Sequence, residues 1–168
     1  MQRSVKGDES IGTLSVMCCL ARVYIDQNRL ENAENLLREA LPIARRRLCL
    51  EHPATLRLVH AHGELHAKQK HYDQAETFFE EALKGMKRQL SEDHPYTLES
   101  KNDLAMLYKE QGDYANAETL FIEALEGRRL KLGDIHPHTI ETWNHLIALY
   151  EAWNKPEKAE EWRANFRK

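Results

Sequence analysis

The stretch LSEDHPYTLESKNDLAMLYKEQGDYANAETLFIEALEGRRLKLG, residues 90–133, decides the fold because its landmarks recur along the chain. Its His94-Pro95 dipeptide returns 42 residues earlier and 42 residues later. The same step of 42 residues joins the following residues: His52-Pro53, His94-Pro95 and His136-Pro137; Thr55, Thr97 and Thr139; Ala33, Ala75, Ala117 and Ala159; Tyr24, His66, Tyr108 and Tyr150. Self-similarity at such a period predicts an array of small, identical folding units.

Apolar residues inside each repeat follow the period of an α-helix. Leu104, Leu107 and Tyr108 lie on one predicted helical stripe, and Ala117 and Phe121 lie on a second. Between the two stripes stands Gln111-Gly112-Asp113, with glycine where a helix C-terminus favours it. The pattern predicts four helix pairs, at residues 14–26 and 29–47, 55–68 and 71–89, 97–110 and 113–131, and 139–153 and 156–167.

The chain resembles the tetratricopeptide repeat (TPR) family in the spacing of Leu104-Ala105, Tyr108, Gly112, Tyr114, Ala117, Phe121 and Ala124. The period of 42 residues resembles the kinesin-light-chain subclass of that family. The resemblance implies an all-α fold, an α–α superhelix (TPR solenoid) of four helix-turn-helix repeats in a single domain, residues 1–168. The repeats span about 6–47, 48–89, 90–131 and 132–168, and the short polar last helix is expected to act as a C-terminal cap.

Several residues depart from the repeat pattern. Pro42 falls inside the predicted helix 29–47, and because proline has no N–H to donate, we expect it to kink that helix or end it early. His62 and His66 stand where the third repeat has Leu104 and Tyr108, so packing at an interface is the first explanation for them. The His-Pro histidines at the repeat junctions are expected to fix the connecting loops and the helix starts: His52, His94 and His136.

The resemblance implies that a partner peptide or helix binds in the concave groove formed by the first helices of the repeats. The repeat register places the following residues there: Arg22, Arg57, His60, Glu64, Asn102, Met106, Lys109, Asn144 and Glu151. An asparagine amide both donates and accepts hydrogen bonds, so Asn102 and Asn144 suit the main chain of an extended peptide. The alternative is that both are solvated polar residues.

The charges of this predicted groove also limit the choice of partner. The family's groove for a C-terminal carboxylate would need cations near Cys18, Glu99 and Asp103, and those positions lack them. We therefore do not expect a receptor for a C-terminal tail of that kind. The mixture of cations and carboxylates favours a mixed or partly basic peptide.

Catalysis and metal binding have little support in the sequence. His62 and His66 are four residues apart on one helix face, but HGELH is not the zinc motif HExxH, so no metal ligands are assigned. Cys18 and Cys19 could form a nucleophile pair with His60, yet no third orienting residue is evident. We predict that the protein is not an enzyme and needs no cofactor.

Composition sets further limits on partners and location. The formal net charge of −3 gives no basic surplus for nucleic acid or an anionic membrane. Basic residues near the ends of the second helices are predicted to be solvated helix-end charges: Arg45-Arg46-Arg47, Lys87-Arg88, and Arg128-Arg129 with Lys131. Three cysteines without a CxxC pair favour a reducing cytoplasm.

Two functions from different classes remain open at this stage. The first is a protein–protein interaction scaffold, which binds a partner peptide in its groove. The second is a structural spacer or self-association module within a larger multidomain protein, because the first repeat is degenerate and its helix pair is expected to be partly exposed.

Overall fold

The computed structural model describes residues 10–166, and that part of the chain consists of eight α-helices without a strand. The helices are α1 (Ile11–Asp26), α2 (Leu30–Leu48), α3 (Pro53–Lys68), α4 (Tyr72–Gln89), α5 (Pro95–Gln111), α6 (Tyr114–Leu132), α7 (Pro137–Ala152) and α8 (Pro156–Phe166). They follow one another as the four predicted helix pairs. The chain divides into two compact units, which we call the N-terminal half (Met1–Gly85) and the C-terminal half (Met86–Lys168).

Histidines cap the starts of α3, α5 and α7. In each case Nδ1 of the capping imidazole accepts a hydrogen bond from the backbone N–H two residues later, at 3.1 to 3.2 Å. The following proline occupies the first helical position, where its missing N–H does no harm. This arrangement confirms the expected role of the His-Pro dipeptides and starts each of these helices two residues before the predicted position.

The turns inside the helix pairs repeat one backbone conformation. Asn28, Lys70, Gly112 and Asn154 are 42 residues apart and have left-handed φ angles of 58°, 62°, 82° and 56°. The N–H of the next residue bonds to a carbonyl five residues back, as from Asp113 to Tyr108 at 2.9 Å. Only glycine adopts this conformation without strain, so the predicted helix end at Gly112 is confirmed and the other three repeats use less favourable residues.

Pro42 does not end α2, so that part of the expectation was wrong: the helix runs on to Leu48. Both Pro42 and Arg38, whose carbonyl loses a helical hydrogen bond, are exposed. The lost hydrogen bond therefore lies on the solvent-exposed side of α2, and the buried residues Leu37, Leu41 and Ala44 hold the helix in place on either side.

In the N-terminal half, α3 and α4 pack closely because Gly63 has no side chain. A Cβ atom at Gly63 would lie 2.6 Å from the ring of Phe79, which is itself buried. His62 and His66 stack on the ring of Phe78, with centroids 5.0 and 5.4 Å away. These two histidines are therefore packing residues.

In the C-terminal half, α5, α6, α7 and α8 share one apolar core. Its buried members are Ala105, Ala117, Phe121, Leu125, Trp143, Leu146, Leu149, Tyr150 and Ala159. Trp143 donates its indole N–H to the carbonyl of Trp162 at 3.0 Å, which ties α8 to α7. Lys158 and the hydroxyl of Tyr150 both bond to Glu118 of α6, at 2.9 and 2.5 Å.

Candidate functional site

The residues predicted for the groove lie on the first helix of each pair, as the register requires. Arg22 is on α1 and the other N-terminal members are on α3: Arg57, His60 and Glu64. In the C-terminal half, Asn102, Met106 and Lys109 are on α5, and Asn144 and Glu151 are on α7. The two halves differ in how these side chains are engaged.

In the N-terminal half, the predicted charges neutralise one another. Arg22 of α1 forms an ion pair with Glu64 of α3, with nitrogen–oxygen distances of 3.0 to 3.2 Å. The guanidinium of Arg57 lies 3.5 Å from the sulfur of Cys19. His60 is buried, and its Nδ1 lies 3.9 Å from the Glu64 carboxylate. These contacts hold α1 against α3.

Burial also bears on the proposed nucleophile Cys18. Its thiol points to the carbonyl of Arg57 at 3.5 Å. Burial raises the pKa of Cys18 to about 11, although the nearby charges of Arg57 and Arg22 lower it. A thiol with this pKa stays protonated at neutral pH and is a poor nucleophile.

In the C-terminal half, Asn102 is held in a buried hydrogen-bond network. Its Oδ1 accepts from the hydroxyl of Thr142 at 3.3 Å and lies 3.2 Å from Nδ1 of His145. Its Nδ2 donates to Asp103 at 3.1 Å, and only 4% of Asn102 is exposed. This differs from the expectation that the amide faces a ligand, because Asn102 joins α5 to α7 instead.

Arg128 anchors the same network, and its burial contradicts the prediction that it is a solvated helix-end charge. Its Nη1 donates to Thr142 at 2.5 Å and to the carbonyl of His138 at 2.9 Å. Burial lowers the pKa of Arg128, while the charges of Asp103, Glu141 and Glu99 raise it. The sequence contained one signal of this burial, because earlier repeats have the apolar residues Met86 and Ala44 at the same register position. In the structure both are buried.

Beside this network lies a shallow depression of about 510 Å³, lined by Pro137, Ile140, Glu141, Asn144 and His145. Asn144 is exposed, one turn along α7 from Glu141.

Because Oδ1 of Asn102 can only accept, Nδ1 of His145 carries the hydrogen in their contact. Burial lowers the pKa of His145, so its imidazole is neutral at pH 7.

The remaining predicted residues of this half lie elsewhere along α5 and α7. Met106 and Lys109 are half-buried, and Glu151 forms an ion pair with Arg163 of α8. We call the following set the α5–α7 face: Met106 and Lys109 of α5, with Glu141, Asn144, His145 and Glu151 of α7. It combines an open apolar floor, an exposed amide and exposed carboxylates.

Among residues 10–166, no helix is long and apolar enough to span a lipid bilayer.

Comparison with solved structures shows the fold. A structure from Podosopora anserina with nearly identical TPR-like repeats of the kinesin light chain type has a TM-score of 0.85 at 23% identity, covering 94% of this chain and 75% of that one. A point variant of the same protein gives 0.83 at 23% identity, over 93% and 74%. BtubC (BKLC) from P. vanneervenii gives 0.82 at 24% identity, over 99% and 66%.

The comparison of sequences shows the family. No curated protein sequence matches this chain. The family model described as tetratricopeptide repeat matches three overlapping segments, residues 12–88, 54–129 and 96–162, which together span most of the chain. The chain therefore belongs to the tetratricopeptide repeat family, as the recurring His-Pro, alanine and tyrosine positions predicted.

Proposed function

We propose that the α5–α7 face binds a peptide or helical segment of another protein. Tetratricopeptide repeats generally mediate protein–protein interaction and act as scaffolds. The observation that carries the proposal is the open depression lined by Pro137, Ile140, Glu141, Asn144 and His145. Its apolar floor suits an aliphatic side chain, and the exposed amide of Asn144 suits the main chain of the ligand.

The buried network beneath the depression supports binding by limiting motion. Arg128, Thr142 and Asn102 connect α5, α6 and α7 through hydrogen bonds of 2.5 to 3.3 Å. A surface that is already ordered loses little conformational entropy when a ligand arrives, which favours affinity.

The charges beside the depression favour a partly basic ligand. Glu141 is half-exposed at its edge, and although the buried Arg128 lies 3.9 Å from the Glu141 carboxylate, the rest of that carboxylate faces solvent. A lysine or arginine of the ligand would place its aliphatic stem over Ile140 and its cation near Glu141. With a formal net charge of −3 on the whole chain, long-range steering of such a ligand is weak.

A protein partner fits the surface better than nucleic acid or a membrane. Two of the basic residues near the ends of the second helices form ion pairs within the chain, Arg45 with Glu81 at 2.8 Å and Arg129 with Asp134 at 2.6 Å. Cys18, Cys19 and Cys49 are free thiols, which suits the reducing cytoplasm. The proposal therefore describes a cytoplasmic scaffold without catalytic activity of its own.

The test is selection from a displayed library of random peptides, followed by calorimetric titration of the selected peptides. Asn144→Ala should weaken binding at least about tenfold, as loss of a well-placed hydrogen bond predicts. Asn32→Ala, an exposed asparagine on α2, is the matched control and should leave the affinity unchanged. If both variants bind like the parent chain, the α5–α7 face is not the site.

A further inference from the structure

The outer face of α1 is apolar and exposed. Val16 is 67% exposed, Ile11 49%, Val23 46% and Leu20 39%. On one helix these residues fall on one side, with Gly12 and Cys19 between them, and Arg22, which pairs with Glu64, and Asp26 lie at the border of this side, between Ile11 and Cys19. We call these six residues the α1 face.

The same register positions are buried on α7, and on α3 they are buried except for the half-buried His62. Val16, Leu20 and Val23 correspond to Leu58, His62 and Leu65 on α3, and to Thr142, Leu146 and Leu149 on α7. Leu58 and Leu65 are at most 1% exposed, and Thr142, Leu146 and Leu149 are fully buried.

In each half, the second helix of the preceding pair covers these positions. Arg128 of α6 bonds to Thr142, and Phe121 and Leu125 of α6 share a core with Leu146 and Leu149. The α1 face thus resembles the matching positions of α3 and α7 in its apolar residues and in their spacing. On those helices an amphipathic helix covers these positions.

From this we infer that the α1 face is a self-association surface, on which α1 of a second copy of this chain packs about a two-fold axis. The inference is independent of the proposed peptide site, which lies on α5 and α7.

Two helices of a second copy are candidates to cover the α1 face, α8 and α1. Their exposed residues decide between them. The exposed residues of α8 include Glu157, Lys158, Glu160 and Glu161, so stacking α8 of one copy on α1 of another would desolvate several charges at once. A second α1 brings the same six uncharged residues, with the guanidinium of Arg57 at the border beside Cys19, and a two-fold contact needs only a patch that complements itself. Gly12 and Cys19 are small, which allows the two helix axes to approach closely.

The size of the contact predicts its strength. One helix face supplies far fewer residues than the roughly 20–30 per side of a standard interface, so we expect a dissociation constant on the order of 100 µM. The dimer should therefore form only in concentrated solution.

The first test is sedimentation equilibrium of the full chain across a range of concentrations. The parent chain should shift from monomer to dimer, and Val16→Lys should raise the dissociation constant at least about tenfold, because the contact would bury a charge. Leu130→Lys is the matched control, since Leu130 is exposed to 77% on α6, and it should dimerise like the parent. Circular dichroism checks that both variants are folded.

Three results of this test would overturn the inference. They are a parent chain that stays monomeric at the highest concentration, a Val16→Lys variant that dimerises normally, and a Leu130→Lys variant that loses dimerisation as strongly as Val16→Lys does.

The second test locates the contact with a short thiol-to-thiol maleimide crosslinker. Cys19 is exposed on the α1 face and Cys49 is exposed outside it. Crosslinked dimer should form in the parent chain and in Cys49→Ser, and it should disappear in Cys19→Ser. A crosslink that needs Cys49 and not Cys19 would show that the copies meet elsewhere.

Discussion

At the scale of single residues, Asn102 and Asn144 show that one repeat position can serve two purposes. They are 42 residues apart in the same register, but Asn102 is buried and Asn144 is exposed. The difference arises because α7 follows α5 and brings Thr142 and His145 onto Asn102.

Replacing Asn102 with alanine should destabilise the protein. The change removes the acceptor for Thr142 and His145 and the donor to Asp103, so we expect a loss of about 1–3 kcal/mol in the free energy of unfolding. Asn144→Ala is the control and should cost less than about 0.5 kcal/mol, because its surroundings are exposed. Urea denaturation followed by circular dichroism measures both, and equal stabilities would contradict the network's role.

His62 and His66 should make stability depend on pH. Burial lowers the pKa of both imidazoles below the ordinary 6.5. The charge of Arg45 lowers the pKa of His62 further, and His71 lowers that of His66 further. The carboxylate of Glu34 raises both pKa values and so opposes these effects. The unfolded chain therefore takes up protons at a higher pH than the folded chain does. Stability is fully present above pH 6.5, falls as the pH drops below that value, and levels off below the folded pKa.

The measurement is the thermal unfolding midpoint between pH 5 and pH 8, compared with a variant that carries the third repeat's residues, His62→Leu with His66→Tyr. The variant should lose less stability on acidification than the parent. Some slope should remain, because burial also lowers the pKa of His145. A variant with the same pH profile as the parent would show that these histidines do not carry the effect.

At the scale of helices, Gly63 sets how closely α3 and α4 approach. Gly63→Ala should destabilise the protein by about 1–3 kcal/mol, since the new methyl group overlaps the buried ring of Phe79. Gly12→Ala on α1 is the matched control, because its Cβ would meet only Ser10 Oγ at 3.5 Å. Alanine is the better helix former, so Gly12→Ala should be neutral or stabilising by up to about 1 kcal/mol. Chemical denaturation of dilute protein measures the free energy of unfolding of both variants. A Gly63→Ala variant that is more stable than the parent would contradict the close packing of α3 and α4.

The sequence predicted all eight helices, because the apolar period and the turn residues agree in every repeat. Its errors lie at the ends. The predicted starts at 55, 97 and 139 are two residues late, since a histidine ring is an uncommon cap and the proline after it begins the helix. Pro42 was expected to disturb α2, yet the buried residues on both sides outweigh one lost hydrogen bond at an exposed position.

The candidate site was less predictable than the helices because its contacts join distant residues. The register correctly placed nine side chains on first helices, but exposure depends on what the other helices bring to them. Arg128 illustrates the difficulty: in sequence it belongs to a run of basic residues, and in the structure it is buried against Thr142 and the carbonyl of His138.

At the scale of the whole molecule, the repeat makes each first helix present the same register positions to a preceding helix. For α3 and α7 those positions are buried, except for the half-buried His62, whereas on α1 they are exposed within the described residues 10–166. The interior copies therefore indicate which chemistry these register positions have when another helix covers them. The α1 face is therefore expected to behave in solution like a core interface that lacks its partner.

The charge of the whole chain predicts how the dissociation constant of this dimer depends on the salt concentration. Each copy has a formal net charge of −3, so two copies repel weakly, while the six residues of the α1 face are themselves uncharged. Raising the salt concentration from about 0.1 M to 1 M shortens the screening length from about 10 to 3 Å, which removes the repulsion and leaves the apolar contact intact. The dissociation constant of the dimer should stay constant or fall modestly. Sedimentation equilibrium at the two salt concentrations measures it, and a dimer that dissociates in 1 M salt would be held by ion pairs, which the α1 face cannot supply.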